Sequence, residues 1–231
     1  MIDSLLQELE NYKNPLRAKH SQRFFKTGRG EYGEGDIFWG IKTPILRSLA
    51  KKYSNLTLAE IKKLLDSPVH DQRFLGLAIL INQYKKADSK LRKSIYRFYL
   101  KNIHAVNNWD LVDISCHHII GNYLLNKPKT LLYDYSKSKD LWLRRISIIS
   151  TFAFIRTDQF PPTLTISHAL LNDNHDLIHK AVGWMLREVG KKNQLILEKF
   201  LDKYVKKMPR TMLRYSIEKF DEPKRQYYLK N

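Results

Sequence analysis

Leu58-Ala59-Glu60-Ile61-Lys62-Lys63-Leu64-Leu65-Asp66-Ser67-Pro68 reads as a short amphipathic helix followed by its own stop signal. Leu58, Ile61, Leu64 and Leu65 recur at helical spacing, and Asp66-Ser67-Pro68 ends the run, because proline lacks the amide hydrogen that a helix interior needs. A second helical pattern then covers about residues 71–84. The same couplet returns along the chain: 91–100 then 109–125, 130–135 then 141–154, 164–170 then 176–189, and 195–205 then 210–220. No segment alternates with the two-residue period of a half-buried strand, so strands are not expected.

The second helices of the couplets share a register. Arg73-Phe74-Leu75, Asp113-Ile114-Ser115, Arg145-Ile146-Ser147, Lys180-Ala181-Val182 and Arg214-Tyr215-Ser216 occupy matching places, at intervals of 40, 32, 35 and 34 residues. A two-helix unit of that length predicts an all-α fold, a right-handed α-solenoid of HEAT-like antiparallel helix pairs. An irregular helical bundle is the alternative; recurrence of both composition and register argues for the solenoid. Residues 1–231 then form a single repeat domain, with an N-terminal helical cap and Gly-rich loop over about 1–57, helix pairs over about 58–220 and a C-terminal tail over 221–231. The concave side of such a stack is lined by the second helices, and the shared register there is basic in Arg73, Arg145, Lys180 and Arg214. Those cations would follow a phosphate backbone. Simple solvation is the competing reading, weakened because cations near a helix N-terminus oppose the helix dipole.

Composition points the same way. Lysine and arginine number 41 against 23 acids, a net charge of +18, and a charge of that size speaks of a polyanionic partner. A membrane partner is disfavoured: no apolar run approaches the roughly 20 residues needed to span a bilayer, and Met1 to Glu10 carries acids where a signal peptide would be apolar. Cys116 is the sole cysteine, which excludes an internal disulfide and fits a reducing, cytoplasmic compartment, beside the nucleoid in a prokaryote.

Asp113 is the acidic exception in the basic register. Trp109 precedes it by four residues and shares its helical face, while Asp110 lies off that face and can cap the helix. From spacing alone, Asp113 is equally a dipole-stabilising or salt-bridging acid and a catalytic carboxylate. Trp184 stands four residues after Lys180, suited to stacking on a sugar or a base, although tryptophans at helical spacing are commonly core; Trp142 is expected in the core. His175 and His179 are spaced as two metal ligands, but no third ligand is placed to complete a site, so no metal is expected. Cys116-His117-His118 is not a nucleophile pair, because adjacent helical residues point apart.

Four stretches in order carry a resemblance: Phe38-Trp39-Gly40-Ile41-Lys42-Thr43-Pro44-Ile45-Leu46-Arg47, Asn108-Trp109-Asp110-Leu111-Val112-Asp113, Leu141-Trp142-Leu143-Arg144-Arg145, and Lys180-Ala181-Val182-Gly183-Trp184-Met185-Leu186-Arg187-Glu188. Together they resemble the AlkD-like DNA alkylation repair family over about residues 20–220. The resemblance implies a HEAT-like DNA glycosylase acting on cationic N3- and N7-alkylated purines in duplex DNA, without a cofactor, as a monomer with no obligate protein partner. It implies a catalytic aspartate at Asp113, sugar-contacting tryptophans at Trp109 and Trp184, a phosphate-holding arginine at Arg145, and recognition from the backbone side. Phe24 stands where the family can carry a tyrosine, which removes a hydroxyl. Arg29, within the Gly-rich stretch Thr27 to Asp36 whose amides could also meet DNA, and Lys42 join the candidate DNA contacts. A non-catalytic HEAT-like scaffold binding DNA or structured RNA remains the rival expectation.

Overall fold

The computed structural model describes residues 1–230, and the architecture is all-α, an α-solenoid of helical repeats. Among the described residues the only β-type pairing is an isolated bridge between Ile37 and Val69. The chain divides into two compact units, Met1–Ser115 and the residues from Cys116 onward.

The first unit contains α1 (Ile2–Glu10), α2 (Pro15–Phe24), α3 (Thr43–Lys52), α4 (Leu58–Leu65), α5 (His70–Lys86) and α6 (Ser89–Lys101), then begins α7 (Trp109–Cys116). α4 starts with a reciprocal cap. Thr57 Oγ1 accepts the Glu60 amide, and Glu60 returns a carboxylate oxygen to the Thr57 amide at 2.9 Å. Such a box satisfies two donors that a helix start leaves open. Both α3 and α4 pack on α5, and α6 follows on the same helix, so α5 is buried nearly all round. α2 differs from every neighbour: it buries no residue at all. Its seat is Gly40, whose φ of +73° only glycine adopts readily, and where an added Cβ would lie 2.5 Å from both Ala18 N and Asn14 O.

The second unit opens with a π-helical turn at His117–Gly121 and continues through α8 (Thr130–Tyr135), α9 (Leu141–Ser150), α10 (Phe152–Ile155), α11 (Pro161–Ala169), α12 (Asp176–Lys192), α13 (Gln194–Tyr204), α14 (Arg210–Ser216) and α15 (Glu222–Lys230). Expected helices are found throughout, with boundaries shifted by a few residues. The stretch after residue 220, read as a tail, forms α15, and Tyr228 is buried with its hydroxyl donating to Asp202 at 2.8 Å. α12 shows why the stack holds. Ile178, Ala181, Val182, Met185, Leu186 and Val189 form one buried stripe at helical spacing, and the helix packs against α9, α11, α13 and, most extensively, α14.

The α12–α14 approach depends on Gly183. A Cβ there would fall 2.6 Å from the Met212 carbonyl oxygen and 2.5 Å from Tyr215 Cβ. Backbone cannot step aside as a side chain can, so overpacking should outweigh the higher helix propensity of alanine. Gly183→Ala is therefore expected to lower Tm by about 2–6 °C in a thermal melt; an unchanged or higher Tm would refute the close crossing.

Candidate functional site

Asp113 and Trp109 stand one turn apart on α7, both half-buried. The Trp109 ring is held in a stack of aromatics. Phe25, just past the end of α2, lies parallel to it at 5.1 Å between centroids, and Phe24 meets its edge at 5.8 Å. Phe24 itself is 58% exposed, so an unshielded phenyl ring with no hydroxyl borders the tryptophan. Phe25 also stacks on Phe38 at 4.9 Å and leans on the His70 ring at 5.1 Å.

Beneath these rings lies a group of ionised side chains. His70, 3% exposed, opens α5 and faces a carboxylate from each ring nitrogen: Asp36 Oδ2 is 3.0 Å from Nδ1 and Asp110 Oδ2 is 2.8 Å from Nε2. Arg73 pairs with the other oxygen of Asp36 and also donates to the Ser67 carbonyl at 2.9 Å. The Asn108 amide completes the set by donating to Asp36 at 3.3 Å. Burial alone would drive the His70 pKa down, but the charges and hydrogen bonds of Asp110 and Asp36 reverse this and raise it to about 9. Burial would likewise raise the Asp36 pKa, yet His70 and Arg73 hold it below the usual carboxylate range.

Arg73 is therefore not on a solvent face. At 4% exposure it is an interior cation, because leaving buried Asp36 without its guanidinium would strand a charge. Nor is Asp110 chiefly a cap: one oxygen accepts the Leu111 amide at 2.8 Å, and the other holds His70. In the Gly-rich loop, the amides of Gly28 and Gly30 are taken by the loop's own Glu31 and Glu34, each at 2.9 Å, while Arg29 is exposed. Lys42 is exposed at the start of α3.

In the second unit, Arg145 is 5% exposed and its Nη1 donates to the Leu177 carbonyl at 2.5 Å, tying α9 to the first turn of α12. Trp184 is half-buried. Its indole N–H donates to Glu188 at 3.2 Å and its ring sits 5.9 Å from Phe152. Lys180 pairs with Asp176 at 2.6 Å, and Arg214 is exposed. The basic register is thus no uniform row of solvent-facing cations: Arg73 and Arg145 lie inside, and Arg214 reaches water. Trp142, expected in the core, is only half-buried. His175 accepts the Leu177 amide at 3.1 Å and His179 contacts the Asp173 carbonyl at 2.5 Å, and no group of three metal-ligating side chains occurs among the described residues.

The members that sequence reasoning missed are Phe25, Asp36, Phe38, His70 and Asn108. They come from a loop, a helix start and a turn, which carry no periodic signal. Their cluster has a measurable consequence. An imidazolium favoured only in the folded chain contributes fully below its unfolded pKa of about 6.5, and the contribution fades as pH rises through about 9. Thermal melts should therefore show Tm falling between those values, and the fall should shrink in His70→Gln; a pH-independent wild-type Tm across that window would contradict it.

Comparison with known proteins accords with this construction. No functionally curated protein matches the sequence. Among solved structures, the fold is similar to a protein described as a predicted DNA alkylation repair enzyme from Enterococcus faecalis, with a TM-score of 0.68 at 16% identity, over 91% of this chain and 97% of that one. At that identity the likeness establishes the fold. The model of the family described as DNA alkylation repair enzyme matches residues 5–220, nearly the whole chain, and the protein belongs to that family.

Proposed function

We propose that this protein is a DNA glycosylase that releases cationic N3- and N7-alkylated purines, such as 3-methyladenine and 7-methylguanine, from duplex DNA. The observation that carries the reading is the pairing on α7 of a carboxylate, Asp113, with a tryptophan four residues earlier whose ring is fixed by Phe25. Family membership in alkylation repair supports it.

The chemistry explains why one carboxylate suffices. Alkylation at N3 or N7 gives the purine a positive charge, so the glycosidic bond breaks with its electron pair returning to the base, which leaves neutral. No acid need protonate the leaving group. The charge to be stabilised appears on the sugar, as in glycoside hydrolysis. Asp113 places negative charge beside the oxocarbenium-like carbon and orients the water that adds there, whose proton passes to solvent. Trp109 offers an electron-rich face to the deoxyribose. The family resemblance implies a sugar-contacting role for Trp184 and a phosphate-holding role for Arg145. Substrates are then restricted to lesions that carry their own charge.

Asp113→Asn should keep duplex affinity within about twofold and lower single-turnover release of 7-methylguanine by about 100-fold or more, the scale on which loss of one electrostatic stabiliser acts. Unchanged release would remove Asp113 from catalysis, and absence of release by the wild type would leave a DNA-binding scaffold. Exposure separates the cations as well. Arg214→Ala should flatten the dependence of log K on log salt by about 0.9, the value for one phosphate contact. Arg73→Ala should lower Tm and leave that slope alone; the opposite pattern would place Arg73 on the DNA.

A further inference from the structure

We infer that His70, gripped by Asp36 and Asp110, is a positioning residue that fixes where α7 presents Trp109 and Asp113, an assignment that rests on the glycosylase reading above. Asp110 is the neighbour of Trp109 and lies three residues before Asp113, within an eight-residue helix. Its link to His70 ties the first turn of that helix to the start of α5. The second nitrogen of the same ring is held by Asp36 at the end of the Gly-rich loop, and Asp36 is anchored in turn by Arg73 and Asn108. Asn108 immediately precedes α7, so the network holds the helix start on both sides of Trp109, at Asn108 and Asp110.

The protonation state is part of the device. An imidazole can donate to both carboxylates only when both nitrogens carry hydrogen; losing one proton sets a ring lone pair against a carboxylate oxygen less than about 3 Å away. The attraction holding Asp36 or Asp110 then becomes repulsion, and α7 loses its fixed start. The groups facing His70 are few: the anions Asp36 and Asp110, with Arg73 beyond Asp36, and the rings of Phe25 and Phe38, the latter stacked on it at 4.4 Å. The adjacent Asp71 is engaged elsewhere, accepting the amides of Trp39 and Ile41 at 2.8 and 2.9 Å. Because Phe25 touches both His70 and Trp109, displacement of the imidazole is also transmitted through the ring stack. Small misplacements suffice, since about 1 Å at a reacting centre can cost about 100-fold in rate.

The test has two arms. In the wild-type protein, NMR titration of the His70 ring protons should give a midpoint well above that of an ordinary histidine, with the Trp109 indole N–H resonance shifting at the same midpoint. In Asp110→Asn, which keeps shape and removes charge, the midpoint should fall toward the ordinary value. Single-turnover release of 7-methylguanine should then drop about tenfold between pH 6.5 and 8.5, where the wild type is flat, while duplex Kd stays within about twofold. A Trp109 resonance indifferent to the His70 titration, or a variant pH profile parallel to the wild type, overturns the inference. Should Asp110→Asn not fold, the wild-type titration decides alone. The two readings fail separately: retained release in Asp113→Asn removes the catalytic assignment and leaves the His70–Trp109 coupling measurable, whereas an uncoupled Trp109 removes the positioning role alone.

Discussion

Two carboxylates, an imidazole and a guanidinium meet in the interior of the first unit, and their mutual neutralisation is what makes the surroundings possible. Any one of them alone, desolvated to this degree, would be expelled or discharged. Paired, they bind the end of the Gly-rich loop, the start of α5 and the start of α7 at one point, each from a different part of the sequence. Aromatic rings from Phe25 and Phe38 close over the group and exclude water, which strengthens every interaction within it. Trp109 is supported on this floor. In the second unit, apolar packing takes the corresponding task, with the α12 stripe and the close crossing at Gly183 placing Trp184.

How much of this was legible in the sequence follows from what periodicity encodes. Apolar spacing announces which face of a helix is turned inward, so the couplets and the alignment of their second helices were readable from residue type alone. Depth is another matter. Arg73 and Arg145 share a register with the exposed Arg214, yet both are interior, because each meets an acceptor far away in sequence: Asp36 for one, the Leu177 carbonyl for the other. The contacts of His70 span 34 and 40 residues, beyond the reach of the local apolar spacing that marks a helix face. Asp113 and Trp109 were visible as an oddity in a pattern; the side chains that steady them were not, since nothing local marks them.

The net charge of +18 gains detail from the same distinction. Not every cation is available to a polyanion. Arg73 is committed to the interior, Arg144 is bound to Asp173 at 2.6 Å, and Lys180 leans on Asp176. Charge on the surface is carried instead by side chains such as Arg29, Lys42 and Arg214, which lie outside the buried networks. Long-range attraction to DNA depends on the total, whereas the salt dependence of binding depends on which cations replace counterions at phosphates.

α2 carries one more consequence. With no residue in the core, it is retained at its two ends, by the Asn14–Trp39 and Arg17–Gly40 hydrogen bonds at its start and by the Phe25 stack just past its finish. The free energy of detaching it is consequently set by a handful of polar contacts and the rings of Phe24 and Phe25, well below that of unfolding the unit as a whole. Its amides should exchange with solvent hydrogen far faster than those of α5, which is wrapped on nearly every side. The helix that brings Phe24 to the edge of Trp109 is thus the segment of the first unit that can loosen while the rest stays folded.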